Sequence, residues 1–341
     1  MAEPPLDAYQ AVSTRLGFID RSNRVRLDVL GPDRVKFLHN LTTNDVKGLA
    51  VGRGCEAFVT SLQGKTLAFV TLLARDDRIL VRADPAGLTV ALPHLQKYGV
   101  FDDVAQDDIS AQTFEYHLAG PKAEEVVRIL GIEPPAEGDL SHRAGMLAGA
   151  SVRIIRESPT GRPGLTILGA IADAERVAEA LHAWGGPLGL VDVLPETYEV
   201  LRVEAGTPVF GRDVTTENLP QEVGRDRRAI SFVKGCYLGQ ETVARIDALG
   251  HVNKFLKGIR CLGATPPAEG SDLEVDGKPV GRLTSVASSP GWGVPVALAY
   301  IRAAEARAGT EVRIKTPGEP LIATVADLPM IPPDSSENRT S

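Results

Sequence analysis

The chain is poor in cysteine, in aromatics and in long apolar runs. Its three cysteines, Cys55, Cys236 and Cys261, lie far apart and form no C-x-x-C pair. That excludes a disulfide framework and any zinc or iron–sulfur site built from this chain's cysteines alone. The six histidines, His39, His94, His117, His142, His182 and His251, show no H-E-x-x-H or H-x-H spacing, so no self-contained metal site is expected. Aromatic residues make up 5% of the chain, which leaves the interior to Val, Leu, Ile and Ala and argues against a stacking platform for single-stranded nucleic acid. No stretch approaches the roughly 18 apolar residues of a membrane helix. The opening, MAEPPLDAYQAVSTRLG, has neither a basic-then-apolar leader nor an Arg/Ser-rich transit composition. A net charge of −7 gives no broad grip on nucleic acid. The expectation is a cytoplasmic protein with no membrane and no direct nucleic-acid partner.

What is present is ordinary for a globular chain: 341 residues, 43% hydrophobic and 24% charged. At roughly 100–200 residues per domain this length predicts two or three domains. The ends, residues 1–14 and 329–341, are Pro-rich or polar without periodicity and read as flexible tails. Between them strands and helices mix in an α+β manner. Arg24–Val29 alternates with period two, and Gly31-Pro32-Asp33 opens a helix whose face carries Val35, Leu38 and Leu41. Strands are predicted at 55–61, 67–73, 79–82, 152–157 and 165–168, and helices at 88–97 and 173–184. After about residue 250 the pattern changes to short strands separated by turn residues, and Asp276-Gly277 is a two-residue hairpin signal. That predicts a separate small β-barrel over 251–328, following a body over 15–250 with lobes of about 15–115 and 116–250.

Two segments carry candidate chemistry. In Lys234-Gly235-Cys236-Tyr237-Leu238-Gly239-Gln240-Glu241 two glycines bracket a cysteine just ahead of a helix predicted over 240–249. A helix N-terminus and a nearby lysine both favour a thiolate, so Cys236 is either a reactive thiol or a small buried hydrophobe. Pro195 and Gly206 bracket a second helix, on which Glu204 borders an apolar face. A carboxylate there either grips the paired N–H edge of a heterocycle or pairs with Arg202 or Arg212. Arg225-Asp226-Arg227-Arg228 is a solvated face or a contact for a polyanionic tail.

The motif K-G-C-Y-x-G-Q-E, followed by Val243-Ala244-Arg245, resembles that of the YgfZ family. The resemblance extends to Phe37–Val46, to Arg202–Gly206 with Phe210–Asp213, and to Gly281–Ser285, and it spans about residues 18–325. It implies a three-lobed, glycine-cleavage T-protein-like fold with a C-terminal barrel and a channel that binds tetrahydrofolate. It further implies an accessory role in iron–sulfur cluster assembly or repair, with iron–sulfur proteins such as radical tRNA-modifying enzymes as partners. By position, Cys236 is the functional thiol; Glu204, Arg202, Tyr237 and Arg245 are folate-binding; and Lys234, Gly235, Gly239, Gln240 and Glu241 shape the loop. The alternative is a folate-dependent aminomethyltransferase or demethylase. Against it, Ile79–Gly87 lacks the Asn that precedes a catalytic Asp in T-proteins, and Asp84 stands near but before Pro85.

Overall fold

The computed structural model describes residues 6–250 and 252–333, so His251 and the outermost residues of both predicted tails lie outside it. The chain folds as two antiparallel-rich sheets and a closed six-stranded barrel. The first sheet has five strands in the order Gly54–Thr60, Thr66–Ala74, Arg78–Ala83, Val25–Leu30, Ala105–Asp108. Its core is aliphatic: Leu27, Val29, Val70, Leu72 and Val81 pack against Phe37 and Leu38 of the helix Arg34–Leu41.

The second sheet runs Leu190–Asp192, Leu16–Asp20, Thr113–Ala119, Gly164–Ala170, Ala150–Arg156, His142–Leu147. Leu16–Asp20 therefore belongs to the second sheet, not to the first lobe in which its position in the sequence had placed it. It pairs in parallel with Leu190–Asp192 and antiparallel with Thr113–Ala119. The predicted flexible tail over 1–14 also needs correction. Leu6–Thr14 is a helix that buries Ala8, Tyr9, Ala11 and Val12, whose spacing of three and four residues makes one apolar face. At the other end the chain stays packed beyond residue 328: Met330 is buried, and its carbonyl accepts a hydrogen bond from the Trp292 indole.

The barrel closes through the strands Lys254–Cys261, Val294–Arg302, Lys278–Ser289, Asp272–Val275, Glu311–Ile314 and Leu321–Ala326, the last pairing back with the first. The Asp276-Gly277 hairpin forms as its sequence requires, with both residues at positive φ (49° and 73°) and Val275 paired to Lys278. A central apolar cluster draws Tyr9, Phe58, Val203, Phe210, Leu256 and Leu298 from every part of the molecule and joins the lobes. At about 1.5–3 kcal/mol for each large side chain removed from water, this cluster stabilises the junction.

Candidate functional site

Two cavities, of about 560 and 660 Å3, adjoin along a shared waist of Arg21, Arg24, Asp84, Tyr198 and Val209. The first is closed by all three lobes: Phe69 and Glu56 from the first sheet, Glu157 from the second, and Phe255 and Lys257 from the barrel. The second opens past Phe18, Pro85, Glu199 and Phe210. Both volumes are in the range of small-molecule sites, and the lining has the usual mixture of aromatic faces and a few placed polar groups.

Local sequence explains the waist. Pro85 occupies the first turn of the helix Pro85–Tyr98, which leaves Asp84 extended (φ −72°, ψ 147°) at its N-cap. Its carboxylate does not cap the helix but accepts the Phe210 N–H at 2.9 Å, and this holds it at the channel wall. Arg21 and Arg24 lie in the turn between Leu16–Asp20 and Val25–Leu30, where the chain crosses from one sheet to the other. Behind them Arg82, fully buried, donates to Glu115 at 2.7 and 3.1 Å and to Glu157 at 2.7 and 3.0 Å. Thr166 donates to Glu157, and His117 contacts Thr166 in turn. Burial drives His117 down to about 3, so its ring is neutral at physiological pH.

Motif residues separated in sequence meet in two knots. In one, Lys234 directs its ammonium at the carbonyls of His39, Thr42 and Asn44, at 2.6, 2.7 and 2.8 Å. Leu238 N–H donates to the Asn40 carbonyl, and the Thr60 hydroxyl to that of Leu238. Burial pushes Lys234 down to about 7. The lysine therefore staples the loop to the end of the helix Arg34–Leu41, and all three of its N–H donors are taken by carbonyls rather than directed at the thiol. Cys236 itself is exposed and free. Tyr237 is buried beneath the Lys234 ammonium (4.8 Å to the ring centroid), and Gln240 accepts the Tyr237 N–H.

The two glycines differ. Gly239 has φ +83°, and an added Cβ would lie 2.4 Å from the Ser61 carbonyl oxygen, whereas at Gly235 a Cβ would meet nothing closer than His39 at 4.0 Å. Gly239→Ala is expected to cost about 1–3 kcal/mol through the left-handed backbone and the clash, while Gly235→Ala costs little. Urea unfolding of the two variants checks the contrast; equal losses would remove the argument.

In the other knot, Arg202 donates to Asp213 (2.7 Å), Glu199 and Ser285, and Thr284 and Ser285 donate to Asp213. Arg202 borders the second cavity but has its donors engaged within the protein. Glu204 pairs with neither Arg202 nor Arg212. It is buried, accepts the Tyr9 hydroxyl at 2.9 Å and the Ser289 hydroxyl, and lines neither cavity. In this structure its lone pairs serve the junction of N-terminal helix and barrel. Tyr237 and Arg245 also line neither cavity; Arg245 and Glu241 are exposed on the helix Gln240–Leu249. The charged groups at and behind the waist that the sequence motifs did not reveal are Arg21, Arg24, Arg82, Glu115 and Glu157. Arg82 and Glu115 have a sequence signal, a charge inside an apolar strand, as in Leu80-Val81-Arg82-Ala83 and Phe114-Glu115-Tyr116; Arg21, Arg24 and Glu157 lie outside the strands and carry none.

The three-lobed architecture has known counterparts. Residues 4–234 match the GCVT N-terminal domain, and residues 254–331 the glycine cleavage T-protein C-terminal barrel domain. The chain belongs to the glycine-cleavage T-protein-like family. An aminomethyltransferase from Streptomyces avermitilis is 30% identical over 89% of this chain and 83% of its own length. One from Halalkalibacterium halodurans is 27% identical over 95% and 88%. The crystal structure of the glycine cleavage system aminomethyltransferase T from Bartonella henselae superposes with a TM-score of 0.85 at 22% identity, covering 96% of this chain and 89% of that one, and so shares the fold. Among the described residues no helix is long and apolar enough to cross a membrane.

Proposed function

We propose that this T-protein-like chain binds tetrahydrofolate in the central channel and serves as an accessory factor for iron–sulfur proteins through Cys236. The observation that carries the first half is the channel itself. It is walled by aromatic faces (Phe69, Tyr198 and Phe255) and by arginines, of which Arg24 has a buried Nε without a partner, in a chain whose relatives are named as aminomethyltransferases. Such walls suit a flat heterocycle with an acidic tail. When bound, tetrahydrofolate supplies a carrier for one-carbon units; the chain's own residues position it and exclude water.

The second half rests on the loop. Cys236 is held out to solvent by a scaffold that does not use its sulfur, which is how a thiol that meets a partner protein is best presented. A single thiol holds no cluster, so contact with one is shared with the client. Calorimetric titration with tetrahydrofolate and 5-formyltetrahydrofolate tests the first half, and micromolar-range binding is expected. Cys236→Ser is expected to retain folding and folate affinity while abolishing support of a client's cluster content. Intact support in that variant removes Cys236 from the function.

One observation favours a second reading, a folate-dependent aminomethyl transfer or demethylation. Asp84 stands at the waist, reachable from both cavities, where a carboxylate can take or hold a proton on a reacting amine. Formaldehyde-equivalent transfer from a methylated amine to tetrahydrofolate, lost in Asp84→Asn, would establish it.

A further inference from the structure

The charges at the waist do not balance locally. Arg82 alone makes four hydrogen bonds to Glu115 and Glu157, none longer than 3.1 Å, and so saturates the faces of both carboxylates that point toward it. Arg21 and Arg24, which line both cavities, are left with one long hydrogen bond each, Arg21 to Glu157 at 3.3 Å and Arg24 to Glu115 at 3.4 Å, and Arg21 also lies over the Tyr198 ring, 5.5 Å from its centroid. The side chain of Arg21 is 10% exposed and that of Arg24 13%, and Nε of Arg24 is buried with no hydrogen-bond partner. Asp84 is the remaining carboxylate common to the two cavities, and one of its oxygens is held by Phe210 N–H. Two nearly buried guanidinium groups with weak partners and an orphaned donor are costly unless an anion completes them.

We propose that Arg21 and Arg24 form a carboxylate-binding subsite at the waist of the channel, which receives the acidic end of the molecule held there. A guanidinium presents two parallel N–H donors that match the two oxygens of a carboxylate, and a pair of such forks in a narrow passage fixes both position and orientation. The carboxylate is carried either by the glutamyl end of a folate or by a small amino acid that shares the channel. Only the first source rests on the folate reading given above.

The test compares wild type, Arg24→Met and Arg21→Gln, with Arg24→Lys as a charge-retaining control. Four probes are titrated by calorimetry: tetrahydrofolate, tetrahydropterin (which lacks the glutamyl end), free glutamate and N-methylglycine. The expected result is that Arg24→Met weakens tetrahydrofolate by about 10- to 100-fold, the loss of one or two charge-assisted hydrogen bonds, and leaves tetrahydropterin unchanged. Loss confined to glutamate or N-methylglycine supports the subsite with a separate amino acid as its source. Binding of those acids, lost in Arg24→Met, in a chain that binds no folate, sustains the subsite while the folate reading fails. If no probe binds wild type more tightly than the two neutral variants, the subsite is overturned. An independent readout accompanies the titrations. Arg24 also faces the buried Glu115, so Arg24→Met is expected to melt lower than wild type without ligand. The subsite predicts instead that the rise in melting temperature that tetrahydrofolate or the amino acids give wild type is lost in Arg24→Met, and an equal rise in both overturns the proposal.

Discussion

Replacing Arg82 by Leu is expected to destabilise the protein by about 3–5 kcal/mol at neutral pH, the cost of leaving buried charges without their partner. Glu115 and Glu157 are carboxylates on neighbouring parts of the second sheet, and Arg82 bridges them from the first, so the loss falls on the contact between lobes as well as on the charges. The pH dependence separates this mechanism from simple loss of packing. Burial pushes the Glu115 carboxyl up, but the guanidinium groups of Arg82 and Arg24 overcome it and hold the group at about 2, against an ordinary value of 4.5. A depressed acid stabilises the fold fully above pH 4.5 and loses that contribution as pH falls toward 2. A shift of this size corresponds to about 3 kcal/mol. In Arg82→Leu burial is no longer overcome, the carboxyls titrate higher, and protonation relieves the variant as pH falls. The gap between variant and wild type in urea unfolding is therefore expected to narrow from pH 7 to pH 3. A gap that stays constant would show that the arginine acts through its volume, not its charge.

Features set by local backbone chemistry were legible in the sequence. Asp276-Gly277 makes its hairpin because both residues tolerate positive φ, and Gly206 ends the helix Pro195–Ala205 at φ +67° for the same reason. The helix Gln240–Leu249 likewise ends at Gly250, with φ +73°. Elements whose stability comes from distant partners were not legible. Leu6–Thr14 is too short to hold a helix unaided and exists because Tyr9 reaches Glu204, some 195 residues away along the chain. Leu16–Asp20 pairs with strands that begin 97 and 174 residues later, at Thr113 and Leu190, which no local periodicity encodes.

The loop around Cys236 was visible through its motif, although its lysine and Gly239 are fixed by distant partners, the carbonyls of His39, Thr42 and Asn44 and that of Ser61. The waist of the channel was not, because Arg21, Arg82 and Glu157 become a unit only when two sheets face each other. Position in a motif also misled in one respect: Lys234 is close to Cys236 in sequence, yet three carbonyls take its charge.

Glu204→Gln is expected to flatten the stability of this protein between pH 4.5 and 7. Burial drives the Glu204 carboxyl up to about 7, against the opposing pull of hydrogen bonds from Ser289 and Tyr9 and of the Arg162 charge. For an acid raised in this way the folded state keeps its proton where the unfolded chain has lost it. Stability is therefore highest at the acid side of the window and falls as pH rises from about 4.5 to 7, by about 3 kcal/mol in all for a shift of this size. An amide of the same shape accepts the Tyr9 hydroxyl and never ionises, so the slope disappears and the variant equals or exceeds wild type at pH 8. Glu204→Ala behaves differently. It leaves the hydroxyls of Tyr9 and Ser289 buried without their acceptor, at about 1–3 kcal/mol each, and frees the N-terminal helix from the barrel. Because Glu204 lines neither cavity, folate affinity of the Gln variant is expected to stay within about twofold of wild type, a change of under 0.5 kcal/mol. A large loss of affinity with an unchanged stability profile would instead place this carboxylate at the ligand, and Tyr9 would then have to swing aside for the channel to be filled.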